Sequence, residues 1–174
     1  MDQQDAINLI KGGVTVSQTS QTWVDLGCGK GTFTEALATL LPDHSVVYAI
    51  DKNRSDLNNI TDAIRSINIE KVELDFLKEG LPSNNVDGVL MANSLHYVRE
   101  KIPFLKKVIA YLSNKGCLVI VEYEARFSNP WVPYPISKIE LGNILMEVGF
   151  NDIQDLGNMN SRYGHIIYSV GCSL

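Results

Sequence analysis

Three alternating glycines form the segment of this chain that is best suited to bind a ligand. Gly27, Gly29 and Gly31 follow a short hydrophobic segment and precede an amphipathic one that begins at Thr32. A glycine has no Cβ, so the chain can turn sharply from a strand into a helix and leave its backbone open to a ligand. This pattern predicts a nucleotide-type cofactor at the start of the helix; a tight turn without a ligand is the alternative.

The spacing of these glycines differs from that of the familiar dinucleotide-binding motif. That motif, G-x-G-x-x-G, places its third glycine at the position of Thr32, whereas here the third glycine comes one residue earlier. An acid, Asp25, also stands before the first glycine. The loop alone therefore does not identify its cofactor, and the elements around it must decide.

Strand and helix patterns alternate along most of the chain. Short apolar or alternating runs predict strands, and apolar residues three and four positions apart predict helices. The predicted strands are residues 21–26, 46–50, 72–76, 86–91, 117–123, 150–156 and 163–170. The predicted helices are residues 2–11, 32–41, 55–66, 102–112 and 137–148. Such an alternation implies a parallel sheet with helices on both faces.

Two connections depart from this alternation. Residues 77–85 are too few for a full helix between the third and fourth strands, so at most a turn is expected there. Residues 157–162 are too few for a parallel crossover, which predicts that the last strand is antiparallel.

Size, composition and charge limit the class of protein. The 174 residues fit one domain, 1–174, with residues 1–20 as a short N-terminal helix and lead-in. No apolar run approaches the roughly 20 residues that span a bilayer, and residues 1–5 carry two acids and no base, so a cytoplasmic protein without a membrane partner is expected. A net charge of −5 argues against general nucleic-acid binding. The three cysteines form no C-x-x-C pair and the three histidines lie far apart, so neither redox chemistry nor a metal site is expected.

The chain resembles the class I S-adenosylmethionine-dependent methyltransferases from about Trp23 onward. Residues 24–31 are similar to the first motif of this family, residues 48–51 to its second strand with a terminal acid, and residues 73–76 to its third strand. Residues 86–98 are similar to the fourth strand and the following loop in the small-molecule branch. The resemblance implies an α/β fold with a Rossmann-like, doubly wound, seven-stranded sheet. This sheet would be mostly parallel, with the last strand antiparallel and inserted beside the fifth.

The resemblance also implies which residues bind the cofactor, S-adenosylmethionine. They are Asp25, Leu26, Gly27, Cys28, Gly29, Asp51, Lys52, Asp75, Phe76 and Asn93. The glycine loop would pack against the methionine and ribose portions, with Asp25 orienting the loop or the ammonium group. Asp51 would accept hydrogen bonds from both ribose hydroxyls, because a carboxylate has two acceptor oxygens.

The remaining members of this set would contact the adenine or the methionine portion. Lys52 would lie over the adenine edge, Asp75 would accept the adenine amine, and Phe76 would donate its backbone N–H to the ring. Asn93 would touch the methionine portion or the methyl acceptor.

The acceptor side of the predicted site is less defined. Transfer of an activated methyl group mainly needs an acceptor held in line about 3 Å away, so a dedicated catalytic residue is not required. Where a proton must leave, the candidates at strand ends are His96, Tyr97, Glu122 and Tyr123. His96 is the main candidate because an imidazole exchanges protons near neutral pH, and packing or capping is its alternative role.

A segment rich in proline and aromatic residues, 129–135, is expected to form a rigid wall over the acceptor. Trp131 and Tyr134 would contact the acceptor there, together with His96 and Tyr123. A plain packing loop is the alternative.

These features predict an S-adenosylmethionine-dependent methyltransferase that releases S-adenosylhomocysteine and acts on a small-molecule acceptor. The first alternative is a NAD-dependent oxidoreductase, which Thr32, the terminal hairpin and the Asp75–Phe76 pair disfavour. The second is a non-catalytic S-adenosylmethionine-binding protein on the same scaffold.

Overall fold

A computed structural model describes residues 1–15, 17–161 and 164–174 as strands and helices around one sheet. The strands are β1 (Thr22–Leu26), β2 (Val46–Asp51), β3 (Ala63–Ile64), β4 (Ile67–Glu73), β5 (Val86–Ala92), β6 (Leu112–Tyr123), β7 (Asp152–Asn160) and β8 (Ile166–Ser173). The α-helices are α1 (Gln3–Ile10), α2 (Thr32–Leu40), α3 (Arg54–Leu57), α4 (Lys101–Tyr111) and α5 (Lys138–Val148). Two short 3-10 helices, Lys11–Gly13 and Leu95–Tyr97, complete the described elements.

The strand order confirms the predicted α/β class. The order is β3-β4-β2-β1-β5-β6-β8-β7, and the five strands from β4 to β6 in this order are parallel. The last strand, β8, lies antiparallel beside β6, and β7 pairs antiparallel with β8 at the edge. The winding of the sheet reverses between β1 and β5, which is where open α/β sheets bind their ligands.

Within the described residues the sheet has one strand more than the seven predicted, because the predicted helix 55–66 is wrong. The helix ends after one turn, where the side chain of Asn59 donates to the carbonyl of Ser55. Arg65 then adopts a left-handed backbone with φ 54°, and β3 folds back on β4 as a hairpin. Asparagine and serine side chains compete with helical backbone bonds, so the apolar spacing alone was misleading here.

The same hairpin moves the third predicted strand. The strand β4 begins at Ile67 and ends at Glu73, so the predicted segment 72–76 overlaps only its last two residues. Leu74–Phe76 follow the carboxyl end of β4 and lie outside the strand. No helix follows before β5, as predicted for the short connection. Residues 162 and 163, which belong to the predicted last link and strand, lie outside the described residues.

Both faces of the sheet are covered by helices, which explains the continuous apolar strands. On one face, Trp23, Val47 and Val119 pack with α1 and α2. On the other face, Val24 and Ile120 pack with α4 and α5. The two cores fix the carboxyl ends of the central strands at one edge of the sheet.

No helix in the described part of the chain combines the length and apolarity that a membrane crossing requires. Among residues 1–15, 17–161 and 164–174, no cluster of three or more histidine, cysteine, aspartate or glutamate side chains is placed to hold a metal ion.

Candidate cofactor site

A cleft of about 270 Å³ opens at the carboxyl ends of β1, β2, β4 and β5. Its lining residues are Gly27, Asp51, Lys52, Asn53, Asp56, Leu74, Asp75, Phe76, Leu77, Asn93, Ser94 and Tyr97. A second groove of about 340 Å³ lies between α4 and α5, and its lining includes none of the individual residues predicted to bind the cofactor or the acceptor. The structure thus brings Gly27, Asp51, Lys52, Asp75, Phe76 and Asn93 together in one cleft.

The glycine loop between β1 and α2 has a shape that only glycine adopts easily. Gly27 and Gly31 have φ angles of 78° and 86°. A Cβ on Gly27 would lie 2.6 Å from the Cβ of Ser94, and one on Gly31 would lie 2.7 Å from Cγ1 of Ile60. The first and third glycines are therefore required by the packing around the loop as well as by its backbone angles.

Asp51 ties this loop to the end of β2. Its Oδ2 accepts the Gly29 N–H at 2.9 Å, and its Oδ1 accepts the Asn53 N–H at 2.8 Å. Each carboxylate oxygen keeps a further lone pair, so Asp51 can still accept two hydrogen bonds from a ligand in the cleft.

Asp25 lies buried beneath the glycine loop. Its Oδ2 accepts the Thr34 hydroxyl at 2.6 Å, while its Oδ1 has no hydrogen-bond partner among the described residues. Burial raises the pKa of Asp25 to about 7; the Thr34 hydrogen bond lowers it in part, and the nearby charge of Asp51 raises it. A buried acceptor without a donor is costly, so this oxygen suits a cationic or hydrogen-bond-donating ligand group.

Asp75 and Phe76 form the wall of the cleft that follows β4. Oδ1 of Asp75 accepts the Leu77 N–H at 3.1 Å, and its Oδ2 pairs with Lys78 Nζ at 2.9 Å. This hydrogen bond with Lys78 holds the pKa of Asp75 below its usual range. The ring of Phe76 packs against Phe104 with the ring centroids 5.7 Å apart.

The opposite wall follows β5. Asn93 has a left-handed backbone with φ 54°, and its N–H donates to the Val121 carbonyl at 2.8 Å. Its Oδ1 is buried and, like Oδ1 of Asp25, has no hydrogen-bond partner in the part of the chain that the structure describes. Ser94 donates its hydroxyl to the Leu26 carbonyl at 2.5 Å and so joins this wall to the glycine loop.

Four predicted cofactor residues support the cleft without lining it: Asp25, Leu26, Cys28 and Gly29. The N–H groups of Gly27 and Cys28 both donate to the Ile50 carbonyl, at 2.8 and 3.0 Å. Cys28 is buried, and burial raises the pKa of its thiol far above its usual value.

The predicted acceptor residues lie outside the cleft. His96 is buried and its Nδ1 lies 2.8 Å from Oε2 of Glu122, while Tyr123 is partly buried at the end of β6. Trp131 and Tyr134 are exposed, and the Tyr134 N–H donates to the His96 carbonyl at 3.0 Å. The geometry therefore gives no support to His96 as a base that reaches a ligand in the cleft.

Several lining residues were missed as cofactor contacts by the sequence reasoning. They are Asn53, Asp56, Leu74, Leu77, Ser94 and Tyr97, of which Tyr97 was predicted only as a candidate base. Most of them are within one or two positions of a predicted residue, because the cleft is built from loops that follow strand ends. Ser94 was the easiest of these to predict as a cleft residue, because it directly follows Asn93 and a small residue is needed opposite Gly27.

Comparisons with known proteins identify the family and the fold of this chain. A family described as "methyltransferase domain" matches residues 24–118, which is more than half of the chain. A comparison with curated proteins finds no match.

Solved structures share the fold at low sequence identity. A SAM-dependent methyltransferase from Aquifex aeolicus has a TM-score of 0.64 and 21% identity, covering 99% of this chain and 97% of the other. A 1,6-didemethyltoxoflavin-N1-methyltransferase from Burkholderia thailandensis, with bound 1,6-didemethyltoxoflavin and S-adenosylhomocysteine, has a TM-score of 0.75 and 16% identity over 98% and 77% of the two chains. The magnesium protoporphyrin IX methyltransferase of Synechocystis with bound SAM has a TM-score of 0.70 and 16% identity over 98% and 78%. The chain belongs to the methyltransferase-domain family and has the class I S-adenosylmethionine-dependent methyltransferase fold.

Proposed function

We propose that this protein transfers a methyl group from S-adenosylmethionine to a small-molecule acceptor. The observation that carries the proposal is the cleft at the carboxyl ends of β1, β2, β4 and β5, where Asp51 offers two acceptor oxygens beside the glycine loop. S-adenosylmethionine supplies a methyl group already activated by its sulfonium. The protein then has to bind it, orient it and exclude water.

Asp51 is proposed to hold the ribose. Its two oxygens are fixed in place by the N–H groups of Gly29 and Asn53, so they are pre-oriented toward the cleft. Ribose presents two neighbouring hydroxyl donors, which match two carboxylate oxygens.

Two buried oxygens near the glycine loop that lack partners among the described residues support an ammonium-bearing ligand. Oδ1 of Asp25 lies buried beneath the glycine loop, and Oδ1 of Asn93 belongs to the wall that follows β5. Both oxygens lack donors within the described structure. The methionine portion of the cofactor carries an ammonium group with three donors. We propose that Asp25 and Asn93 hold this end of the cofactor, which would satisfy acceptors that are otherwise costly.

Asp75, Phe76 and Lys52 are proposed to hold the adenine. They line the far wall of the cleft. The Phe76 ring supplies an apolar face, and Asp75 supplies an acceptor for the adenine amine.

The acceptor is proposed to approach from the side of Tyr97, which lines the cleft and is exposed. Trp131 and Tyr134 follow on the neighbouring segment and offer exposed aromatic rings. The Burkholderia enzyme, which shares this fold, binds the small molecule 1,6-didemethyltoxoflavin, and this analogy of fold supports a small-molecule acceptor.

Calorimetric titration tests the cofactor assignment. S-adenosylmethionine and S-adenosylhomocysteine are expected to bind, and NAD is not. Binding of NAD alone would overturn the proposal. A panel of small-molecule acceptors is then assayed for release of S-adenosylhomocysteine, which reports turnover. If the protein binds the cofactor but none of the acceptors causes this release, a non-catalytic binding protein is favoured.

Asp51→Ala is expected to weaken binding of S-adenosylhomocysteine by about 30-fold, since it removes charge-assisted hydrogen bonds worth roughly 2 kcal/mol. The matched control is Glu73→Ala, which removes an exposed acid at the end of the neighbouring β4 that does not line the cleft. Calorimetry on both variants measures the effect. Equal affinity in the two variants would refute the ribose assignment.

A further inference from the structure

Glu122 anchors the loop that follows β5. Its Oε1 accepts the backbone N–H of His96 at 2.9 Å, and its Oε2 lies 2.8 Å from Nδ1 of the same residue. The Tyr123 N–H also donates to Oε2, at 3.2 Å. Both side chains of this pair are almost fully buried, with 3% of His96 and 1% of Glu122 exposed. A buried carboxylate is tolerated when its oxygens are satisfied in this way, so Glu122 fixes both the backbone and the ring of His96.

Lys101 forms the second part of this arrangement. It is buried at the start of α4, and its Nζ donates to the carbonyls of Val98 and Tyr134 at 2.9 and 2.8 Å. Burial lowers the pKa of this lysine. A lysine is rarely buried without a structural or functional reason. Here its ammonium bridges the loop after β5 to the segment after β6.

The backbone of Tyr134 is thereby held from both sides. Its N–H donates to the carbonyl of His96, and its carbonyl accepts from Lys101. A little earlier in the chain, Asn129 and Val132 close a turn through backbone bonds in both directions, each 3.1 Å long. Trp131 lies on this turn with 77% of its surface exposed. An exposed aromatic side chain on a fixed backbone favours ligand binding, because less conformational freedom is lost when the ligand binds.

We infer that Lys101 and Glu122 are positioning residues that hold segment 129–134, with Trp131, on the acceptor side of the cleft. They act through His96 and Tyr134. Tyr97, which directly follows His96, lines the cleft. The inference rests on the proposed function, which places the acceptor at this side. It also gives the buried His96 a role in holding the loop, in place of proton transfer.

Fluorine NMR of protein labelled with 5-fluorotryptophan tests the inference. The chain has two tryptophans, so two resonances are expected, and Trp131→Phe assigns them. Trp23 is fully buried and reports whether the fold is intact. Lys101→Met is expected to shift and narrow the Trp131 resonance and to leave the Trp23 resonance unchanged. Lys107→Met, an exposed lysine on the same helix, is the matched control and should change neither.

Hydrogen exchange gives the second measurement. Peptides covering residues 129–136 are expected to exchange about tenfold faster in Lys101→Met, because the Tyr134 backbone loses an anchor. Lys101→Arg keeps the charge and several donors, so it should restore slow exchange. Glu122→Gln leaves one acceptor oxygen in place of two and should give an intermediate rate. An unchanged Trp131 resonance together with unchanged exchange in Lys101→Met would overturn the inference.

The affinity for S-adenosylhomocysteine separates this inference from the proposed function. Lys101→Met should bind it within twofold of the unmodified protein, since Lys101 does not line the cleft. No binding to the unmodified protein would refute the proposed function, whatever the resonances show. Binding that is lost in Lys101→Met while the Trp23 resonance is unchanged would refute a role confined to the acceptor side, because the loop that Lys101 holds would then also shape the cofactor cleft.

Discussion

Gly27→Ala is expected to lower the free energy of unfolding by about 3 kcal/mol. The new Cβ would lie 2.6 Å from the Cβ of Ser94 and 3.3 Å from the Phe76 ring, so it pushes on both neighbouring walls of the cleft. Overpacking of this kind costs roughly 1–3 kcal/mol. The left-handed backbone at φ 78° adds strain of about 1 kcal/mol for any residue with a Cβ.

Gly29→Ala is the matched control for this substitution. Gly29 also has a left-handed backbone, with φ 53°, but a Cβ there would meet no atom within 4 Å. The backbone strain alone should therefore lower the free energy of unfolding of Gly29→Ala, by about 1 kcal/mol. Urea denaturation of both variants separates strain from packing. Equal losses in the two variants would show that Ser94 yields freely and that the walls of the cleft are not rigidly joined at Gly27.

The parts of the fold that the sequence revealed are those in which pattern and burial agree. Strands β1, β2 and β5 are mostly apolar and mostly buried, and a helix of regular amphipathic spacing, α2, follows the glycine loop. The antiparallel direction of the last strand was predicted from the length of the preceding link, because a link of so few residues cannot make a parallel crossover. Such features depend on residues close together in the chain, so they can be predicted from the sequence.

The region 54–76 was predicted poorly because its apolar spacing fits two structures. Ile60 and Ile64 lie at helical spacing, yet Ile60 packs beneath Gly31 and Ile64 pairs with Ile67 in the hairpin. The choice depends on turn chemistry at Asn59 and Arg65 and on the packing of Gly31, which is a contact distant in sequence. Asp75 and Phe76 nevertheless reached the cleft, because the shifted strand still ends at the same edge.

The acceptor side could not be deduced for a related reason. His96 follows a strand end, as the residues of the cleft do, but its partner Glu122 is distant in sequence and draws the imidazole into the interior. Lys101 resembles any other lysine at the start of a helix until the carbonyls of Val98 and Tyr134 are known. Pairings between separate elements of this kind leave no pattern in a single sequence.

Asp25→Asn is expected to remove a strong pH dependence of stability. The pKa of Asp25 is about 7 in the folded protein, because of burial, against 3.8 for an unperturbed aspartate. Between these values the folded state holds a proton that the unfolded state has lost. The stabilising contribution of Asp25 is therefore complete below pH 4 and is lost as the pH rises toward 7. From pH 5 to pH 8 this loss amounts to roughly 3 kcal/mol, at 1.36 kcal/mol for each pKa unit.

The neutral amide in Asp25→Asn keeps the shape of the side chain and can still accept from Thr34, so its stability should vary much less over the same range. Thr34→Val provides a test of the sign. It removes the hydrogen bond that favours the charged form of Asp25, so the pKa rises further and the loss of stability moves to higher pH. Urea denaturation of the three proteins at pH 5, 6, 7 and 8 measures both effects. Parallel curves for the unmodified protein and Asp25→Asn would mean that Asp25 stays ionised in the folded state; a negative charge would then lie under the glycine loop before any cofactor ammonium binds.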